Sequence, residues 1–107
     1  MSPTEQLRAS LSALPGVVET RSRFGAAGRP AWCIDGREFA HLHSTTLLDL
    51  RLPRAAQARL RKDPRARFRR HASQWLELEF HTCEDVADLL ALARKAAAAM
   101  KATRRTP

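Results

Sequence analysis

The stretch that decides the fold is Arg37-Glu38-Phe39-Ala40-His41-Leu42-His43, followed after Ser44-Thr45-Thr46 by Leu47-Leu48-Asp49-Leu50-Arg51-Leu52. Apolar and polar residues alternate in both runs, as in a half-buried strand, and the short polar connection between them predicts a β-hairpin. The same period puts His41, His43 and Asp49 on the face away from Leu42, Leu48 and Leu50. A three-residue loop, Ser44 to Thr46, pairs His43 with Leu47, His41 with Asp49 and Phe39 with Arg51. Directly opposed Cβ atoms lie about 4.5–5.5 Å apart, so His41 and Asp49 can form a hydrogen-bonded pair.

Immediately upstream, Pro30 to Asp35 reads as a strand with Trp32 and Ile34 on one face, and Asp35-Gly36 as a hairpin turn. A two-residue turn would pair Trp32 with Phe39. A three-residue loop ending at Arg37 pairs Trp32 with Ala40 and aligns the apolar faces, so a glycine-bulge turn is expected. Trp32, Ala40, Leu42, Leu48, Leu50 and Leu52 then point inward, and Cys33, Phe39, His41 and His43 outward.

Further out, Ser2-Pro3-Thr4-Glu5 is a capping box with proline at the first helical position. Leu7, Leu11 and Leu14 follow at helical spacing, so a helix is expected from about Pro3 to Ala13, stopped by Leu14-Pro15-Gly16. Val17 to Ser22 reads as a strand and Gly25 to Gly28 as a loop. Pro53 opens a short helix that ends before Pro64, with Ala56 and Leu60 facing in, and Arg65 to Arg70 is expected to be extended or irregular. Trp75 to Phe80 is a strand with Leu76, Leu78 and Phe80 on one face and Trp75, Glu77 and Glu79 on the other. Thr82-Cys83-Glu84-Asp85 caps a long helix striped by Val86, Leu89, Leu90, Ala93, Ala97 and Met100, its acidic start and basic end matching the helix dipole. The architecture is α+β: an antiparallel four- or five-stranded sheet with the N-terminal and C-terminal helices packed on one face. A single domain over 1–101 and a frayed basic tail over 102–107 are expected.

At 107 residues the chain has room for one core and no second domain. No apolar run spans a bilayer and no signal segment opens the chain, so a soluble cytoplasmic protein without membrane insertion is expected. Cys33 and Cys83 lack metal-ligand spacing and read as small semi-buried residues without a disulfide. The charge is localised: residues 51–70 hold nine basic groups against Asp63 alone, while the other 87 residues carry ten basic and ten acidic groups. Such a patch is the footprint of a phosphate-rich partner, a nucleic acid or an anionic small molecule. Sixteen arginines to three lysines, with nineteen alanines, fit GC-rich coding in which arginine fills ordinary solvated positions, and that solvated-surface reading of the run stands ahead of the phosphate-partner one. Phe68 alone interrupts the basic run, so no stacking platform for single strands is apparent.

The succession Gly36 to His43, Leu48-Asp49-Leu50-Arg51-Leu52-Pro53-Arg54, a basic segment ending in His71, Gln74-Trp75-Leu76-Glu77-Leu78 and a Glu84-Asp85-Val86 helix resembles a family of small bacterial and fungal domains called the luciferase domain. The resemblance covers about residues 14 to 98. It implies an α+β fold and a face lined by the His-x-His and Asp positions, carried here by His41, His43 and Asp49. It does not imply light emission, because no flavin or nucleotide fingerprint is present, and no cofactor is expected. A looser similarity of layout links the chain to YjbR-type domains, by analogy of fold only.

Three function classes follow. A binding module for an anionic ligand or nucleic acid would take phosphate contacts from Arg54, Arg59, Arg65, Arg67, Arg69 and Arg70. The sheet face would recognise the ligand through Phe39, His41, His43, Asp49, Arg51, Trp75 and Glu77. An enzyme would use His41 as general acid/base oriented by Asp49, with His43 as a second proton donor and Arg51 clamping an oxyanion. A metal site would draw on His41, His43 and Asp49, the donors of a two-histidine, one-carboxylate centre. An ordinary surface hairpin accounts for an exposed His-x-His without further pattern somewhat better than any site does. The binding module is the reading carried forward, with the small enzyme or metal-binding protein as alternative.

Overall fold

Ser2 and Glu5 close the start of the first helix, α1 (Pro3–Ser12): the Glu5 amide donates to Ser2 Oγ at 3.1 Å and the Ser2 amide to Glu5 Oε1 at 3.4 Å. In this computed structural model, described over residues 1–23, 28–69 and 73–105 with backbone alone at 103–105, six strands follow. They are β1 (Val17–Arg21), β2 (Pro30–Ile34), β3 (Arg37–Ser44), β4 (Leu47–Arg51), β5 (Ala66–Phe68) and β6 (Trp75–Glu79). Helix α2 (Arg54–Ala58) follows β4 and helix α3 (Cys83–Arg105) ends the fold. The sheet order is β1-β2-β3-β4-β6-β5, every neighbouring pair antiparallel.

The α+β class is as expected, with more strands than the four or five anticipated. The additional strand is β5, within the segment expected to be extended or irregular. Three residues are too few to display a period, and β5 exists because it pairs with β6, Arg67 opposite Glu77.

The two hairpins reach the expected Trp32–Ala40 and His41–Asp49 pairings by a different route, while the expected His43–Leu47 and Phe39–Arg51 pairings do not form. Asp35 and Gly36 both have positive φ, 53° and 76°, the two-residue turn that suits strand twist. Cys33 therefore pairs with Glu38 and Ile34 with Arg37, yet Trp32 still faces Ala40, because a bulge at Phe39 absorbs one residue. The expected three-residue loop is replaced by a tight turn plus this bulge. Phe39 consequently turns inward and is fully buried in the core instead of lying on the outer face. In the next hairpin His41 faces Asp49 as expected, but Ser44, not His43, pairs with Leu47, and His43 is the extra residue of a second bulge.

Trp32, Ala40, Leu48, Leu50, Leu76 and Leu78 form the inner face, covered by Leu7 and Leu11 of α1 and by Val86, Leu89, Ala93 and Met100 of α3. Each fully buried leucine contributes about 1.5–3 kcal/mol, and this layer is where the fold is held. Trp32 Nε1 donates to Ser12 Oγ at 3.0 Å, tying α1 to the sheet. Buried Gln57 does the same for α2, its Nε2 donating to the carbonyls of Leu52 and Ser73. Helix α3 continues to Arg105 through the residues from 102 onward expected to fray; its alanine-rich end favours helix, and residues 106–107 lie outside the described residues. The Gly25 to Gly28 loop falls almost wholly outside them. No described helix is long and apolar enough to cross a membrane.

Candidate functional site

Cross-strand pairing builds a polar row on the face away from the helices: His41 opposite Asp49, Asp49 opposite Glu77, Glu77 opposite Arg67. Directly paired residues of antiparallel strands share a face, so four strands contribute to one line of side chains. The face is not open at its centre. His41 is 4% exposed and Asp49 1%.

His41 stands between two carboxylates. Its Nε2 lies 2.7 Å from Asp49 Oδ2, and its Nδ1 lies 2.9 Å from Glu38 Oε2, there without the alignment of a hydrogen bond. Glu38 is itself buried and accepts from Ser22 Oγ at 3.0 Å and from the Arg23 amide at 3.2 Å. The Trp75 ring packs against the imidazole, centroids 4.9 Å apart and planes 47° from parallel. With both nitrogens turned to carboxylates, buried His41 links Asp49 to Glu38 and lies outside the cluster of candidate metal donors.

His43 is exposed, and its Nδ1 approaches Asp49 Oδ2 at 3.4 Å. His43, Asp49 and Glu77 each offer a ligand atom within 4.8 Å of the others. Glu77 thus takes the place that the sequence reading gave to His41 in the metal-donor set.

Three arginines of the basic segment, Arg65, Arg67 and Arg69, are matched by the protein's own acids. Arg65 binds Asp63, Asp85 and Asp88 at 2.9–3.0 Å, and these hydrogen bonds hold its guanidinium more firmly protonated than usual. In return Arg65 lowers the Asp63 carboxyl below its ordinary range. The Asp85 carboxyl is lowered first by the His81 amide and then by Arg65. Arg67 pairs with Glu79, and Arg69 Nη2 lies 3.4 Å from Asp49 Oδ2. Arg54 and Arg59 are exposed around α2, and Arg70 lies outside the described residues. The segment therefore does not present its charges as one surface.

Arg51, the first residue of that segment, joins three arginines from outside it around a cleft of about 480 Å³ across β1, β2 and β3, with Val18, Thr20, Cys33 and Glu38 among its walls. Arg21, Arg23, Arg37 and Arg51 line it against two carboxylates, Asp35 and Glu38. Among the described residues none of the four makes an ion pair. Arg21 Nη1 donates to the Gly28 carbonyl at 2.8 Å and Arg51 Nε to Gln74 Oε1 at 3.0 Å, contacts that fix direction without cancelling charge. Burial, with the Glu38 charge adding, pushes the Cys33 thiol up, so it is not an activated nucleophile. Of these residues the sequence reading singled out Arg51 as a ligand contact. Arg21 and Arg23 are neighbours at the end of β1, and only the pairing of β1 with β2 and of β2 with β3 brings them to Arg37.

A family model described as "Luciferase domain" matches residues 36–96. No curated protein and no solved structure matches the chain.

Proposed function

The chain belongs to the luciferase-domain family, and from the arginine-lined cleft on its sheet we propose that it is a binding module for an anionic small molecule. The observation that carries this reading is the charge balance of that cleft: four guanidiniums, unpaired among the described residues, around two carboxylates. Unpaired guanidiniums converging on a concavity favour a phosphate or carboxylate, because the planar fork meets two oxygens at once and the charge-assisted bonds are strong. The volume falls in the range of small-ligand sites, about 300–1,000 Å³. Concavity favours a small molecule over a duplex, and the engagement of Arg65, Arg67 and Arg69 with internal acids argues against the 51–70 segment as the principal contact.

Residue-resolved NMR on the full chain tests the proposal, with pyrophosphate and a short DNA duplex as probes. The expected result is saturable pyrophosphate shifts centred on Thr20, Cys33 and Arg37. Shifts centred on Arg54 and Arg59, or produced by duplex alone, would move the site to the basic segment and reject the cleft.

A further inference from the structure

We propose that His43, Asp49 and Glu77 form a site for one divalent transition-metal ion, separate from the arginine cleft. Three observations converge. The three side chains bring one imidazole nitrogen and two carboxylates within 4.8 Å of one another on adjacent strands. Asp49 is 1% exposed, and its Oδ1 has no hydrogen-bond partner among the described residues. A buried carboxylate oxygen left unpaired costs about 1–3 kcal/mol, so such an atom calls for a partner. Glu77 makes no ion pair among the described residues either; its cross-strand neighbour Arg67 turns to Glu79 instead.

The arrangement divides Asp49 between two tasks. Oδ2 faces His41 Nε2 at 2.7 Å, which orients the carboxylate, and lies 3.4 Å from His43 Nδ1, while Oδ1 has no partner among the described residues and can join it in holding the ion. That is how outer-shell partners commonly hold a ligating carboxylate. Ligands bound tetrahedrally at about 2.0–2.2 Å stand roughly 3.3–3.6 Å apart, so the site must close by about 1 Å. Exposed His43, on its bulge, and half-buried Glu77 have the freedom to do so. Arg69, 3.4 Å from Asp49 Oδ2 and half-exposed, is a cation already at the cluster, and its long side chain can swing aside.

One nitrogen and two oxygens suit zinc, manganese or cobalt better than calcium or magnesium, which prefer all-oxygen cages, or copper(I), which prefers sulfur. Three protein donors leave a coordination position open for water or a ligand, as in reactive and not purely structural sites.

Titration of the full chain with cobalt(II), followed by visible absorption and calorimetry, tests the site. The expected result is one equivalent bound with a nitrogen–oxygen spectrum, about tenfold or greater loss of affinity in both His43→Ala and Glu77→Gln, and no change in His81→Ala. These three positions are exposed or half-exposed, and circular dichroism verifies that the variants fold. Absence of saturable binding, affinity that survives both substitutions, loss in His81→Ala, or a thiolate spectrum would overturn the proposal. None of these outcomes depends on pyrophosphate, so the two sites stand or fall separately.

Discussion

His41 Nε2 stands 2.7 Å from Asp49 Oδ2 beneath the outer face of the sheet, and this contact joins the two polar regions of the molecule. On its other side His41 meets Glu38, whose carboxylate lines the arginine cleft, while Asp49 reaches His43 and Arg69. The three charged or titratable residues are buried together, so their worth to the fold lies in staying paired.

Asp49→Ala should therefore destabilise the domain by about 3 kcal/mol, because it leaves His41 and Glu38 buried with a missing partner. Asp49→Asn, which keeps the shape and one oxygen, should cost less. Urea unfolding of the three proteins measures the order; equal stability of wild type and Asp49→Ala would show the pair to be energetically idle.

Phe39→Ala should cost about 3–5 kcal/mol, the usual range for emptying a buried aromatic position, and leave anion affinity unchanged in the folded fraction. The alternation of β3 alone predicts the opposite, an outer-face residue whose loss alters binding and spares stability. Parallel denaturation and titration curves decide between them.

What could be read from the sequence and what could not divide along the range of the interactions. The Asp49 and Leu50 period, the Ser2–Glu5 box and the α3 stripe are local patterns, and they gave the α+β class, the His41–Asp49 pairing and the Trp32–Ala40 pairing. The bulges at Phe39 and His43 are not local: each places one residue so that apolar faces on neighbouring strands align, and single-strand alternation cannot reveal that. Arg65 reads as free charge because Asp85 and Asp88 lie 20 and 23 residues away, on the helix that closes over the sheet. The cleft is not legible for the same reason: the pairing of β1 at the sheet edge carries Arg21 and Arg23 to the distant Arg37.

The Arg65 cluster sets a pH dependence. Asp63 and Asp85 titrate lower in the folded chain than the ordinary carboxyl value of about 3.9, so the unfolded chain binds protons first as pH falls. Their stabilisation is present above the unfolded value and is lost as pH drops through the folded one. Arg65→Met should cost about 1–2 kcal/mol at pH 7 and much less near pH 2. Urea midpoints at both pH values measure the difference, and a cost that does not shrink in acid would assign it to lost packing.

Cys33 reports on the cleft. Its raised thiol should react with iodoacetamide more slowly at pH 7 than exposed Cys83, should quicken as pH rises, and should be protected by pyrophosphate. Mass spectrometry after timed alkylation reads all three; protection of Cys83 instead would locate the anion elsewhere.

Charge reversal tests the cleft most directly. Pyrophosphate affinity, measured by calorimetry at low salt where attraction is least screened, should fall at least about tenfold in Arg37→Glu, a loss of about 1.4 kcal/mol or more. Arg59→Glu, on the basic segment, should stay within about twofold of wild type, its charge screened and distant from the bound anion. The reverse order, with Arg59→Glu impaired and Arg37→Glu intact, or no binding by the wild-type chain, would mean that the arginine cleft is not the anion site.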